Sequence, residues 1–286
     1  MKELKITEKF GTTMIIVPHQ DDEILMTAGV IRKLIEQGIE LSLVMVTNGD
    51  CECEDYSKGK ARLEETLEGV KTLGMEARQV EFLGYADTGM EQEDSFLTHL
   101  YEEKDGEKVY RSFCTDRTYG LENKQEYHLR KWGEHASYTR NMLKEDIKTL
   151  IRESHPNNIF TTSEQDLHGD HAALCSFVHE ILDELEREEQ YTPVVYCGLV
   201  HSCAGDENWP ERDNETFNCP DGFGEQNGCC WEERLVLKVP EIMKRKNGTD
   251  NLKYQALLKY ETALEPGAYS FLMAFIKDEE IFWRIR

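Results

Sequence analysis

Apolar residues along the chain recur at two alternating periods. Met14 to Val17 is a short unbroken apolar run, and after a polar interruption Ile24, Ala28, Ile31 and Ile35 fall on one face of a helix. Leu41 to Val46 returns to a β-rich run, so the opening segment predicts a βαβ unit with a right-handed crossover and parallel strands. Leu63, Leu67, Val70 and Leu73 repeat the helical spacing within Ala61 to Leu73, closed by Gly74, and Val80 to Leu83 reads as a third strand.

Between Asp87 and about His135 the periodicity gives way to charged, Gly-containing and aromatic residues, an insert of the kind that forms lids and binding loops. Regularity resumes with a helix near Tyr138 to Glu153 and a strand from Asn158 to Thr161. Leu174, Phe177, Val178, Ile181, Leu182 and Leu185 then mark an amphipathic helix, and Pro193 to Val200 supplies a further strand. His201 to Trp231 is a second loop-like insert, followed by a strand at Leu235 to Val239, a helix around Asp250 to Glu261 and a closing apolar segment. Strands alternating with helices predict an α/β fold with a mostly parallel sheet. With no internal repeat and no low-complexity linker, the whole chain, 1–286, reads as a single domain carrying inserts near 87–135 and 201–231.

Composition narrows the partners. Lys plus Arg is 33 against 56 Asp plus Glu, a formal charge of −23 whose field repels nucleic acid and anionic lipid surfaces. No apolar run is long enough to cross a bilayer, so no integral membrane association is expected. The nine cysteines form one Cys-x-Cys (Cys51, Cys53), one adjacent pair (Cys229, Cys230) and five singles (Cys114, Cys175, Cys197, Cys203, Cys219), with no Cys-x-x-Cys. The opening MKELKITEKFGTT has no apolar export stretch, and the expectation is reduced thiols in a cytoplasmic protein.

Candidate chemistry sits where two strands end. His19, Asp21, Asp22 and Glu23 follow the first strand directly, at the carboxyl end where open α/β sheets bind ligands. A nucleotide site would need a Gly-rich turn there; carboxylates repel a pyrophosphate and attract a cation. A second cluster, Asp166-Leu-His168-Gly-Asp170-His171, holds the equivalent place between the strand ending at Thr161 and the next helix. If those strands are neighbours, the clusters converge. His19 and Asp22, three apart in a first helical turn, share one side, and His171 completes a facial set of two imidazoles and one carboxylate that suits zinc and leaves a coordination position open. Taken singly, a His-x-x-Asp can be no more than a helix cap beside a packing histidine; it is the pairing of the two clusters that points to a metal. His99, His128, His135, His155, His179 and His201 lack such a setting and read as surface or packing residues.

His19-Gln-Asp-Asp-Glu23 together with His168-Gly-Asp-His171 resembles the paired signature of the PIG-L/LmbE-like deacetylases, zinc-dependent enzymes that remove acyl groups from N-acetylglucosamine conjugates. Thr47-Asn-Gly49, the helix start containing Arg62, Tyr85-Ala-Asp-Thr-Gly-Met90 and the region from Lys253 to Trp283 extend the resemblance, while Gln20 and Gly169 stand where the family commonly has proline. The resemblance implies a Rossmann-like three-layer sandwich with catalytic loops at the strand carboxyl ends. It implies Zn2+, with Fe2+ or Co2+ as substitutes, held by His19, Asp22 and His171. Asp21 would be the general base toward the attacking water, His168 the residue that stabilises the oxyanion and protonates the leaving amine, and Asp170 the carboxylate that orients an imidazole. Arg62 and Asp87 match positions that contact the sugar, although Arg62 could instead pair with Glu64 or Glu65 and Asp87 could merely start a turn before Gly89. The implied substrate is a small N-acetylated sugar or glycoconjugate. Three other readings stay open at this level: an amidase for a larger amide such as a thiol conjugate, a protein that binds sugar or metal without turnover, and a phosphoesterase, which would usually need two metals.

Overall fold

Alternation along the strands deals side chains to the two faces of one sheet. In the computed structural model, which describes residues 2–224 and 229–286, the chain begins with β1 (Lys2–Glu3), β2 (Thr13–Val17), α1 (Asp22–Glu36), β3 (Leu41–Thr47), α2 (Ser57–Thr72) and β4 (Val80–Tyr85). It continues with α3 (Phe96–Glu102), α4 (Tyr127–Trp132), α5 (Arg140–Ser154), β5 (Asn158–Thr162), α6 (Gly169–Glu189) and β6 (Val194–Gly198). The tail adds β7 (Leu235–Lys238), α7 (Leu252–Leu257), α8 (Tyr269–Ala274) and β8 (Glu279–Arg284). Ile15 and Val17 of β2 join a core with α1, α2 and α7, whereas Met14 and Ile16 join a second core with α3, α5 and α6. The result is the three-layer α/β architecture expected, with helices on both faces.

The described residues form an eight-stranded sheet in the order β1-β7-β8-β6-β5-β2-β3-β4. Neighbours from β4 to β6 run parallel, and β8 is antiparallel to both β6 and β7. β2 has β3 on one side and β5 on the other, in register Thr13↔Asn158 to Ile15↔Phe160. The two strands whose ends carry the polar clusters are therefore adjacent, and they flank the point where the strand order reverses, the usual ligand position in such sheets.

Several elements depart from the sequence reading. The insert after β4 contains α3 and α4, each too short to show a 3.6-residue period; Ser95 caps the first by accepting from Thr98 N, and Glu126 caps the second by accepting from His128 N and Leu129 N. The expected helix around Asp250 to Glu261 is only Leu252–Leu257, because Asn251 caps it by accepting from Lys253 N and Tyr254 N. The closing apolar segment divides into α8 and β8.

β8 also reaches into α1. Glu280 accepts from Gly29 N at 2.7 Å and Val30 N at 3.1 Å, while Lys253 Nζ donates to Leu25 O at 2.7 Å and lies 3.5 Å from Glu280 Oε1. A buried ion pair thus grips the backbone of the helix that begins at Asp22. A Cβ on Gly29 would meet Glu280 Oε2 at 3.0 Å, so the carboxylate's approach depends on glycine there.

Candidate active site

β2 gives way to α1 through Asp21, whose φ of 103° is a left-handed conformation that non-glycine residues adopt rarely. Glu23 supports this turn: its Oε2 accepts from Asp21 N at 3.1 Å and its Oε1 from Tyr260 OH at 2.5 Å. Burial pushes the Glu23 carboxyl up to about 8. His19 N donates to Asp22 Oδ2 at 2.9 Å, which turns that carboxylate back over the strand end.

Three ligand atoms converge there. His19 Nδ1 lies 3.2 Å from His171 Nε2, Asp22 Oδ2 lies 3.2 Å from the same nitrogen, and His19 Nδ1 to Asp22 Oδ2 is 3.6 Å. Donors about 2.0–2.2 Å from one ion stand roughly 3–3.6 Å apart, so this spacing suits a single metal. The other ring nitrogens face carboxylates: His19 Nε2 is hydrogen-bonded to Asp170 Oδ2 at 2.9 Å, and His171 Nδ1 is 3.1 Å from Asp166 Oδ2, an ion-pair contact without hydrogen-bond alignment. A carboxylate only accepts, so each ring presents a lone pair toward the other across 3.2 Å unless a proton or cation lies between them. The donor set fits a divalent cation for that reason. Without one, burial lowers His19, yet the Asp170 and Asp22 carboxylates outweigh it and raise the ring to about 9. Burial likewise opposes ionisation of Asp22, but His171 and His19 hold its carboxyl well below the usual range.

The remaining expected residues surround these three. Burial raises Asp21 to about 7 against the pull of Arg62, whose Nη2 is 3.9 Å from Asp21 Oδ2. Arg62 also donates to Gln20 O at 2.9 Å, while Glu65 is occupied by Thr262, so Arg62 faces the site rather than pairing along its own helix. His168 Nδ1 accepts from Asp170 N at 3.2 Å, which leaves the proton of the neutral ring on Nε2. Burial and the positive histidines around it push His168 far below its ordinary value. Its ring centroid is 4.4 Å from that of His19 and 4.7 Å from that of His171, and its ligand atom falls within 4.8 Å of theirs. Asp87 is buried and lies within the same 4.8 Å grouping as His19 and Asp170; its backbone N–H donates to Asp50. The imidazole that Asp170 orients is that of His19, and Asp170 is itself fixed by Ser95 Oγ at 2.5 Å and Leu97 N at 2.8 Å.

Two residues escape the sequence reading. Asp166 belongs to the second cluster, where spacing assigns it no role, although its carboxylate faces His171 and accepts from Val200 N and His201 N. His201, expected to be a surface or packing residue, has its ring centroid 5.6 Å from His168 and 5.4 Å from His171. It follows β6, the next strand beyond β5, so the rule that placed the first two clusters at strand ends also covers it. Gly169 has a reason not to be proline: its N–H donates to Met90 O at 2.8 Å, tying the first insert to α6.

Residues 14–182 match the family model PIG-L, described as GlcNAc-PI de-N-acetylase. No curated protein matches the chain. The N,N'-diacetylchitobiose deacetylase from Pyrococcus horikoshii, solved with its inhibitor MPG, superposes with a TM-score of 0.55 at 14% identity, covering 96% of this chain and 83% of that one. A conserved protein from Thermus thermophilus gives 0.55 at 12% identity, covering 96% and 94%. The zinc-inhibited form of the teicoplanin deacetylase Orf2 gives 0.55 at 14% identity, covering 96% and 97%. At these identities the likeness is one of fold.

Proposed function

The chain belongs to the PIG-L family, and from that premise we propose that it is a metal-dependent N-deacetylase, hydrolysing the acetyl amide of a GlcNAc-like sugar or glycoconjugate to acetate and a free amine. The observation that carries this reading is the convergence of His19 Nδ1, Asp22 Oδ2 and His171 Nε2 within 3.6 Å of one another. A divalent ion held by those atoms, zinc or in its place iron(II) or cobalt(II), supplies Lewis acidity toward the amide carbonyl and lowers the pKa of water.

The protein's own groups divide the proton work. Asp21, raised to about 7 and beside the triad, takes the proton of the attacking water on a carboxylate oxygen. His168, neutral with its proton on Nε2, donates a hydrogen bond to the developing oxyanion, and the proton that Asp21 takes from the water is the one delivered to the departing nitrogen. Asp170 and Asp166 hold the two ligating imidazoles in the required orientation. Arg62 offers a planar fork of donors and Asp87 an acceptor for paired hydroxyls, which suits a sugar. Support for that substrate class comes from the family description and from fold relatives named for diacetylchitobiose and teicoplanin.

The test joins elemental analysis to a panel of N-acetylated sugars scored for new primary amine. Wild type should carry about one divalent ion per chain and release amine. Asp22→Ala and His171→Ala should lose metal and turnover together, whereas Asp21→Asn and His168→Ala should keep the metal and lose about 10²- to 10⁴-fold in kcat. Normal metal content in the first pair would remove the ligand assignment, and absence of amine from every acetylated sugar would remove the reaction.

A further inference from the structure

The second insert delivers one side chain to the site with the same care as the ligands receive. His201 Nδ1 lies 3.0 Å from both oxygens of Asp206. Its ring stacks on Phe271 at 5.2 Å with 19° between the planes, its backbone N–H donates to Asp166 Oδ2 at 3.1 Å, and its backbone oxygen accepts from Leu167 N at 2.9 Å. Asp206 is itself held, since Arg212 Nη2 donates to its carbonyl at 2.6 Å. Its ring centroid lies 5.6 Å from that of His168 and 5.4 Å from that of His171, so the ring sits beside the proposed oxyanion donor and one of the proposed ligands. No step of the proposed hydrolysis uses it.

A carboxylate can only accept, so the proton that Asp206 receives is on Nδ1, and the neutral ring is left with an acceptor lone pair on Nε2, at the edge away from Asp206. An imidazole fixed by a carboxylate, packed against an aromatic face and set beside reacting groups has the arrangement of a preorganised contact residue. Resting on the deacetylase reading, we infer that His201, oriented by Asp206, contacts the substrate, its Nε2 accepting a hydrogen bond from an N–H or O–H of the N-acetylated sugar. The insert from 201 to 231 thereby takes part in recognition through a single side chain.

Two substitutions separate this role from packing. His201→Phe keeps a flat ring against Phe271 and removes the acceptor; His201→Gln gives up the stacking and keeps an acceptor oxygen. Both are compared with wild type for metal content, thermal midpoint, kcat and KM on whichever N-acetylated sugar is turned over, with Asp206→Asn as a third variant. Loss of a hydrogen bond that leaves a desolvated substrate donor unpaired is worth about 10- to 100-fold, so His201→Phe should lower kcat/KM by that factor with metal content and midpoint unchanged. His201→Gln should recover part of it. Asp206→Asn, which can donate to the ring and so free its tautomer, should fall between wild type and His201→Phe. If wild type turns over and His201→Phe stays within about twofold of it, the assignment is overturned and the deacetylase reading stands. If His201→Phe fails to fold, His201→Leu, which also removes the acceptor, takes its place, and wild-type efficiency in that variant overturns the assignment equally. If wild type turns over no acetylated sugar, both readings fall.

Discussion

A proton must leave His19 before that ring can bind a cation. Burial alone would favour the neutral ring, but the carboxylates of Asp170 and Asp22 hold it up at about 9, and His171 is raised in the same way by Asp166 and Asp22. Below about pH 9 His19 therefore keeps a proton that a cation bound at the proposed ligands would have to displace. Metal uptake by the stripped protein should release protons, and the apparent affinity should rise between about pH 6 and pH 8. Competition against an indicator of known proton dependence measures this; an affinity flat across that window would show that the rings are already neutral. The convergence of His19, Asp22 and His171 was legible in the sequence because His19 and Asp22 stand three apart after β2 while His171 belongs to the cluster that follows β5, the neighbouring strand. His201 was not, because its orienting carboxylate is on an irregular segment with no period to read. The pairing of Asp170 with His19 was equally hidden, since nothing local in the second cluster indicates which imidazole its carboxylate meets.

Among the elements, α1 depends on distant chain. Its first turn supplies Asp22, and its backbone is gripped at Leu25, Gly29 and Val30 by Lys253 and Glu280. Burial pushes Lys253 down and Glu280 up, the signature of charges that persist only because each has the other. Removing one partner from such a pair typically costs about 3–5 kcal/mol. Glu280→Gln and Lys253→Met should each destabilise by about that amount, and the double variant by less than their sum. Urea unfolding of the metal-loaded protein provides the measurement, and strict additivity would show that the two side chains act independently. The long elements were legible because β2, β3, β5 and α6 are buried over much of their length and carry uninterrupted apolar periods. β1, α3 and α4 were not, since two to seven residues cannot display a period and their stability comes from caps and tertiary contacts.

On the scale of the molecule, none of the nine cysteines is bonded to another. Cys203 and Cys219 are exposed, whereas Cys175, Cys197 and Cys229 are buried, and Cys197 Sγ is 3.6 Å from Cys229 Sγ without a bond. A thiol reagent should count nine sulfhydryls on unreduced protein in denaturant and, on the native protein, react first at the two exposed positions. A lower total would reveal bridges. The net charge of −23 was legible from composition alone, but the route of the sheet was not, because alternating strands and helices leave strand order open. That route places β8 between β6 and β7. A ribosome delivers β8 after the other seven strands of this sheet, so until it emerges β7 and β1 have no strand joining them to the rest. Glu280 arrives with it, and until then Gly29 N and Val30 N of α1 lack the carboxylate that accepts from them. An interrupted translation product ending before β8 would hold every proposed metal ligand in its sequence while the helix that carries Asp22 remained unsecured, so metal loading in the cell should mark chains that were synthesised through the last strand.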